Sequence, residues 1–270
     1  MSAIGFERVS RDFNAPDGAR YRAIDDISFD VADGAFVAIV GPSGCGKSTL
    51  LNIAAGLLAP TTGTVRVAGT PLAGLNRDAT YMFQQDALLP WKSVRDNVAL
   101  GLAIGGAAAA DGDARAEEWL TRVGLAAFGA HYPAQLSGGM RKRVAMAQNW
   151  ILERRLLLMD EPFSALDVHT RQRMETELLA LWEERRAGAK RTVLFVTHDL
   201  EEAIALADEV MILSAGPSSR LIARHSIPLA RPRDLMELRT SAPFLDLYKS
   251  IWSVLRQEVM KSQTAERRRA

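Results

Sequence analysis

The chain has 270 residues, 48% of them hydrophobic and 24% charged, which suits one large domain with an appendage and excludes wholesale disorder. Its formal net charge of +1 gives no push toward nucleic acid, whose binders carry a strongly basic face. The single cysteine, Cys45, excludes an internal disulfide and fits a reducing compartment.

The first thirty residues contain Asp12, Asp17, Asp25, Asp26 and Asp30 and no long apolar run, so no signal peptide is expected. "FVAIV" at 36–40 ends in Gly41 and predicts a buried strand. A helical pattern runs from Lys47 to about Leu58 and stops near Pro60. "TVRVA" at 64–68 and "ATYMF" at 79–83 predict two more strands. Residues 94–150 read mostly helical, with a break expected at "DGD", 111–113. Three apolar runs follow, "RLLLMD" at 155–160, "RTVLFVT" at 191–197 and "EVMILS" at 209–214, separated by helical patterns at 169–186 and 200–208. Near-continuous apolar strands alternating with helices predict a parallel sheet covered on both faces. The helical block interrupts that alternation and reads as an inserted subdomain. "GPSS" at 216–219 is a turn, and "IPLARPRDL" at 227–235 an extended connector. Phe244, Leu247, Tyr248, Ile251, Trp252, Leu255 and Val259 form an i, i+3/i+4 stripe, which predicts a C-terminal amphipathic helix packed on the body. Beyond it, a solvated tail with the cluster Arg267–Arg269 is expected. No stretch reaches the ~18 apolar residues of a spanning helix, so a membrane role would come through a partner.

"GPSGCGKS" fits G-x-x-x-x-G-K-[ST] between a predicted strand and a predicted helix, the context a phosphate loop requires. The loop residues Gly41, Pro42, Ser43, Gly44, Cys45 and Gly46 let backbone N–H groups converge on phosphate oxygens at a helix N-terminus. Lys47 is expected at the β- and γ-phosphates, Ser48 on Mg2+ and Thr49 near the α-phosphate. A bulky thiol reagent at Cys45 is expected to block activity, with nucleotide protecting. Asp160 ends a strand at the carboxyl edge, where open α/β sheets bind ligands, and can hold Mg2+ through water. Glu161 is placed to orient an attacking water, and His198, just past another strand end, to contact the γ-phosphate.

"GPSGCGKST", "MFQQD", "LSGGM", "LLLMDEP", "SALD" and "VTHD" occur in this order, and together they resemble the Walker A, Q-loop, signature, Walker B, D-loop and H-loop motifs of ATP-binding cassette (ABC) ATPases. The resemblance covers about residues 4–215. It implies an α/β P-loop NTPase fold of the RecA-like type: a mostly parallel sheet core with an antiparallel β part, an inserted α-helical subdomain and a C-terminal helix. The boundaries expected are 1–227 for the ATPase domain (core 1–84 and 155–227, helical subdomain about 85–154) and 228–270 for the connector and C-terminal helix. It implies ATP and Mg2+ as cofactors and a head-to-tail dimer in which Ser137, Gly138 and Gly139 of one copy reach the γ-phosphate on Lys47 of the other. Gln84 resembles the Q-loop glutamine that senses the γ-phosphate and Mg2+, with Gln85 the adjacent alternative. Glu161 resembles the general base, His198 the H-loop switch, and Asp167 the end of a D-loop that crosses the dimer interface. Phe13 resembles the aromatic that stacks on adenine; Tyr21 competes for that role, and core packing is the other reading of Phe13. Met140 departs from the signature's usual Gln and removes an amide donor, while the glycine N–H groups remain.

"DALLPWKSVRDNVALGL", "LSGGMRKRV" and the tail "ARPRDL…FLDLYKSIWSVLRQEV" are similar to the ATP-binding subunits of nitrate, sulfonate and taurine importers. That likeness implies two copies of the chain with a membrane permease, a periplasmic binding protein acting indirectly, and a peripheral place on the cytoplasmic face of the bacterial inner membrane. Leu89, Pro90 and Trp91 would then border the groove for a permease coupling helix, although Trp91 would suit the subdomain core equally well. Lipid or phosphonate traffic is the neighbouring alternative. A cassette acting on nucleic acid would tend to carry coiled-coil insertions or zinc-binding cysteines, and a P-loop kinase would need no signature loop; neither pattern fits, so no nucleic-acid partner is expected.

Overall fold

The computed structural model describes residues 2–14, 18–184 and 190–267. Two long strands, β1 (Ser2–Asn14) and β2 (Arg20–Ala32), open the chain as an antiparallel pair. Then come β3 (Phe36–Val40), α1 (Lys47–Ala54), β4 (Thr62–Val67), β5 (Thr70–Pro71) and β6 (Ala79–Met82). Three helices follow, α2 (Val94–Ile104), α3 (Ala109–Arg122) and α4 (Gly138–Trp150). The chain returns to the sheet through β7 (Leu156–Asp160), α5 (Val168–Glu183), β8 (Thr192–Val196), α6 (Leu200–Leu206), β9 (Glu209–Leu213) and β10 (Leu221–Ser226). A short α7 (Leu235–Leu238) and a long α8 (Ala242–Arg267) end it.

The strands form two sheets. One is antiparallel, in the order β2-β1-β4-β5; the other has six strands in the order β10-β9-β3-β8-β7-β6. In the six-stranded sheet β9, β3, β8, β7 and β6 run parallel, and β10 pairs antiparallel with β9 at the edge. Alternate residues of each parallel strand enter different cores, as the two-residue period dictates. Phe36, Ala38, Leu157, Met159, Val193 and Phe195 face the helices, whereas Val37, Ile39, Leu156, Leu158, Leu194 and Val196 face α1 and the antiparallel sheet. The central strands therefore have no solvent side, which is why they read as unbroken apolar runs.

Helix α1 stops at Ala54 rather than near Leu58. Gly56 takes φ +70°, and a Cβ there would lie 1.9 Å from the Gly74 carbonyl oxygen, so the chain must turn. The helical block breaks at Gly105–Ala108, not at 111–113, because Gly106 supplies the positive φ of +85°. "DGD" lies in the first turns of α3, where Asp111 suits the helix N-terminus. Strand β10 was not anticipated after the 216–219 turn; its alternating half-exposed pattern is the mark of an edge. Helix α8 packs on α6 through buried Phe244, Ile251 and Leu255, while Trp252 stays 38% exposed, so the buried stripe is narrower than expected. The basic cluster expected at 267–269 lies outside the described side chains.

Candidate active site

The loop between β3 and α1 is shaped by its glycines. Gly44 and Gly46 adopt φ +71° and +93°. A Cβ on Gly46 would meet Ile24 Cγ2 at 2.6 Å, while Gly44 faces open space. Gly46 caps α1 with no side-chain acceptor, so the first N–H groups of the helix stay available to an anion. Lys47 folds back, and its Nζ donates to the carbonyls of Gly41 (2.9 Å) and Pro42 (3.1 Å), 4.0 Å from Glu161 Oε1. The ammonium is thus held at the loop with its charge only partly balanced. Cys45 does not face the site. Its thiol is fully buried in the core against Gly41, and burial pushes its pKa up.

Across the loop, Ser48 Oγ donates to Asp160 Oδ1 at 3.0 Å, and Tyr81 Oη donates to Asp160 Oδ2 at 3.2 Å. Burial pushes the Asp160 carboxyl up; the two hydrogen bonds and Lys47 pull it down, and Glu161 adds to the rise. A hydroxyl and a carboxylate at hydrogen-bond distance are the oxygen pair that Mg2+ takes while keeping most of its water. Among the described residues, no group of three or more His, Cys, Asp or Glu able to hold a metal occurs.

Glu161 follows the strand at φ +43°, a costly conformation for a non-glycine residue. Its N–H is fixed to the Val196 carbonyl at 2.9 Å, and its Oε2 lies 2.8 Å from His198 Nδ1. Gln84 Nε2 donates to Ser164 Oγ at 3.4 Å, and Ser164 Oγ donates to the Glu161 carbonyl at 3.0 Å. Gln84 is therefore tied to this cluster. Lys47, Ser48, Asp160, Glu161 and His198 lie together past the carboxyl ends of β3, β7 and β8, with Gln84 just past β6.

Phe13 and Tyr21 face each other across β1 and β2 and stack with ring centroids 5.6 Å apart, so the two rival aromatics form one platform. Arg11 covers the Phe13 ring at 4.8 Å. Phe13 belongs to neither core, which removes the packing reading. Ser137 caps α4 by accepting from Met140 N at 3.3 Å, leaving the N–H groups of Gly138 and Gly139 at an exposed helix start. Asp167 caps α5 by accepting from Thr170 N at 3.0 Å, and that bond holds its carboxyl below the usual range. Gly139 lies against Thr170, where a Cβ would come within 2.7 Å of Cγ2. Among the described residues, no hydrogen bond joins Ser137, Gly138 or Gly139 to the 41–49 loop.

Sequence reasoning missed Tyr81 and Ser164. Tyr81 lies 79 positions from Asp160, and only the parallel pairing of β6 with β7 brings it there. Ser164 carried a signal inside "SALD" that went unused. Trp91 is 71% exposed, which excludes it from the subdomain core.

Fold and site together define a P-loop nucleoside triphosphatase. A family model described as ABC transporter matches residues 24–164. An uncharacterized ABC transporter ATP-binding protein of Methanocaldococcus jannaschii is 43% identical over 245 residues, covering 91% of this chain and 88% of that protein. A taurine import ATP-binding protein of Yersinia pestis is 44% identical over 195 residues, covering 72% of this chain and 75% of the relative. A nitrate import ATP-binding protein of Synechococcus elongatus is 41% identical over 233 residues, covering 86% and 83%. The fold is similar to that of an ATP-binding cassette solved as a dimer in a post-hydrolysis state with ADP and Pi: the TM-score is 0.73 at 30% identity, over 84% of this chain and all of the other. The chain belongs to the ABC transporter family and is an ATP-binding cassette of the ATPase kind.

Proposed function

We propose that the chain is the ATP-hydrolysing subunit of an importer for a small anion such as nitrate, taurine or an alkanesulfonate. It acts as a pair of copies beneath a transmembrane permease at the cytoplasmic face of the cell membrane, with a periplasmic binding protein delivering the cargo. Glu161 carries this reading. A carboxylate held at φ +43°, within 4.0 Å of Lys47 and 2.8 Å of His198, is built to hold a water against a γ-phosphate.

ATP would lie on the backbone N–H groups of Ser43–Ser48 with Lys47 at its β- and γ-phosphates and Thr49 beside the α-phosphate. The Phe13–Tyr21 platform would take the adenine. Ser48, Asp160 and Gln84 would hold Mg2+, which supplies charge neutralisation on the phosphates when bound. Glu161 accepts the proton of the attacking water, and His198 steadies Glu161 and reaches the γ-phosphate. The exposed N–H groups of Gly138 and Gly139, with Ser137 and Asp167, would serve the ATP of a second copy. ATP would then hold the closed pair, and hydrolysis would release it.

The importer reading is supported by the similar relatives' names and by a groove of about 310 Å³ between β6, α2 and α4. Phe83, Ala87, Leu100, Ile104 and Leu152 line it, and Trp91 stands exposed on the 89–93 turn. Such a groove suits an amphipathic permease helix.

The test is uptake of labelled taurine, alkanesulfonate and nitrate in a strain lacking the gene. Loss of one uptake, restored by the wild-type chain but not by Glu161→Gln, is the expected result. No defect on any of the three would discard the cargo class, and restoration by Glu161→Gln would discard the role of Glu161.

A further inference from the structure

Helix α5 carries a buried charge cluster that the proposed chemistry does not use. Arg171 reaches two ways: its Nη2 donates to the Leu166 carbonyl at 3.2 Å and its Nη1 to Asp199 Oδ2 at 3.1 Å. Its Nε lies 3.7 Å from Glu202 Oε1, and neither of those atoms has a hydrogen-bond partner. Glu202 is almost wholly buried and accepts a 2.7 Å bond from Thr197 Oγ1. That hydroxyl in turn accepts from the N–H of Asp199 at 3.0 Å. Thr197 and Asp199 flank His198, and Leu166 precedes Asp167. One guanidinium thus joins the segment that ends in Asp167 to the turn that presents His198.

One turn further along α5, Glu175 is fully buried and paired with Arg239, which sits between α7 and α8. Arg239 Nε also lies 4.0 Å from Glu201 Oε2 at the rim. Arg171 thus faces Asp199 and Glu202, and Arg239 faces Glu175 and Glu201. Burial pushes Glu175 up, and it pushes Glu202 up to about 8, while the guanidinium groups oppose the rise. Without Arg239, Glu175 would be a buried carboxylate without its paired guanidinium, a costly state. The other cation acting on it is Arg171, four residues back on the same helix face.

We propose that Arg171 is a positioning residue for hydrolysis, fixing the Asp167 segment against the His198 turn, and that Arg239 of the C-terminal segment keeps it in place by neutralising Glu175. The inference rests on the roles proposed above for Glu161 and His198. It makes the C-terminal segment part of the active-site support rather than packing alone.

The test is steady-state ATPase of the purified full chain, expressed per nucleotide-binding site counted with a fluorescent ATP analogue. Arg239→Met should lower kcat about tenfold and leave KM within about twofold, as expected when a catalytic group is misplaced but ground-state binding is not. Adding Glu175→Gln removes the charge that draws Arg171 away, so the double variant should recover to within about threefold of wild type. Arg171→Lys keeps the charge but loses the forked reach, and should behave like Arg239→Met. A wild-type kcat in Arg239→Met, or a double variant no better than the single, overturns the proposal. Glu161→Gln in the same assay separates the two readings: if it hydrolyses ATP normally, the site reading itself fails. If it is inactive while Arg239→Met is normal, only the present inference fails.

Discussion

Cys45 shows how one side chain can lie inside a functional loop without serving it. Its position in "GPSGCGKST" suggests a thiol beside the nucleotide, but the sulfur is buried under Gly41 and its pKa is raised. Thiolate is the reactive form, so both effects slow modification. A bulky maleimide should therefore react with the native chain at least about tenfold more slowly than with the urea-unfolded chain. Equal rates, followed by mass spectrometry, would show the thiol to be open. The residues legible in the sequence were those whose chemistry is local: the loop glycines, Lys47, Ser48, and the adjacent Asp160 and Glu161. His198 was legible because a strand end precedes it. Tyr81, Arg171 and Glu202 were not, because each works through partners that only the sheet order and helix packing bring near. At this scale a second prediction concerns Glu202. Its folded pKa of about 8 lies above its ordinary value of 4.5, so its contribution to stability is complete below about pH 4.5 and is lost as pH rises through about 8. The melting temperature should fall between about pH 4.5 and 8 and level off above, and Glu202→Gln should flatten that fall. An unchanged slope in the variant would contradict the assignment.

At the scale of elements, the helical insertion is held to the sheet by polar latches. Lys142 of α4 is buried and donates to the Gln84 carbonyl at 3.0 Å, and it pairs with Asp86 at 3.1 Å alongside Arg141. The Gln84 backbone and α4 are therefore tied directly to each other. Asn97 of α2 is wholly buried, accepts from Leu89 N at 2.7 Å, and its two amide hydrogens are shared among the carbonyls of Leu89, Lys92 and Ser93. It fixes the turn that displays Trp91. Asn97→Ala leaves several of these groups unpaired and should cost about 2–4 kcal/mol in urea unfolding. A loss under about 0.5 kcal/mol would mean that water replaces the side chain readily. The break in this block was misread because "DGD" carries strong turn residues. Gly105 and Gly106 supplied the turn first, and the acids then suited the start of α3.

For the whole molecule, α8 closes one of the two cores. Phe244, Ile251 and Leu255 pack into the helix-side cluster, and Glu258 accepts from the N–H of Ala215 at 2.8 Å. Phe244→Ala should destabilise the chain by about 3–5 kcal/mol, read as a shift in the urea midpoint. A shift confined to the last helix, with the ATPase body unfolding as before, would show that α8 is an independent attachment. The parallel architecture and the C-terminal helix were legible because their apolar periods are long and regular, whereas the edge strand β10 is short and only half-buried. The six-stranded sheet has a further consequence. All five positions of β3 and of β8 are buried, and apart from the polar Thr192 they alternate between one core and the other. Neither strand has a solvent side, and the one polar residue they carry, Thr192, is satisfied by accepting from the Gly34 N–H at 2.9 Å. The apolar positions of these two strands therefore admit only exchanges for other apolar side chains of similar volume, whereas polar changes are absorbed on the exposed faces of the helices and of the antiparallel hairpin.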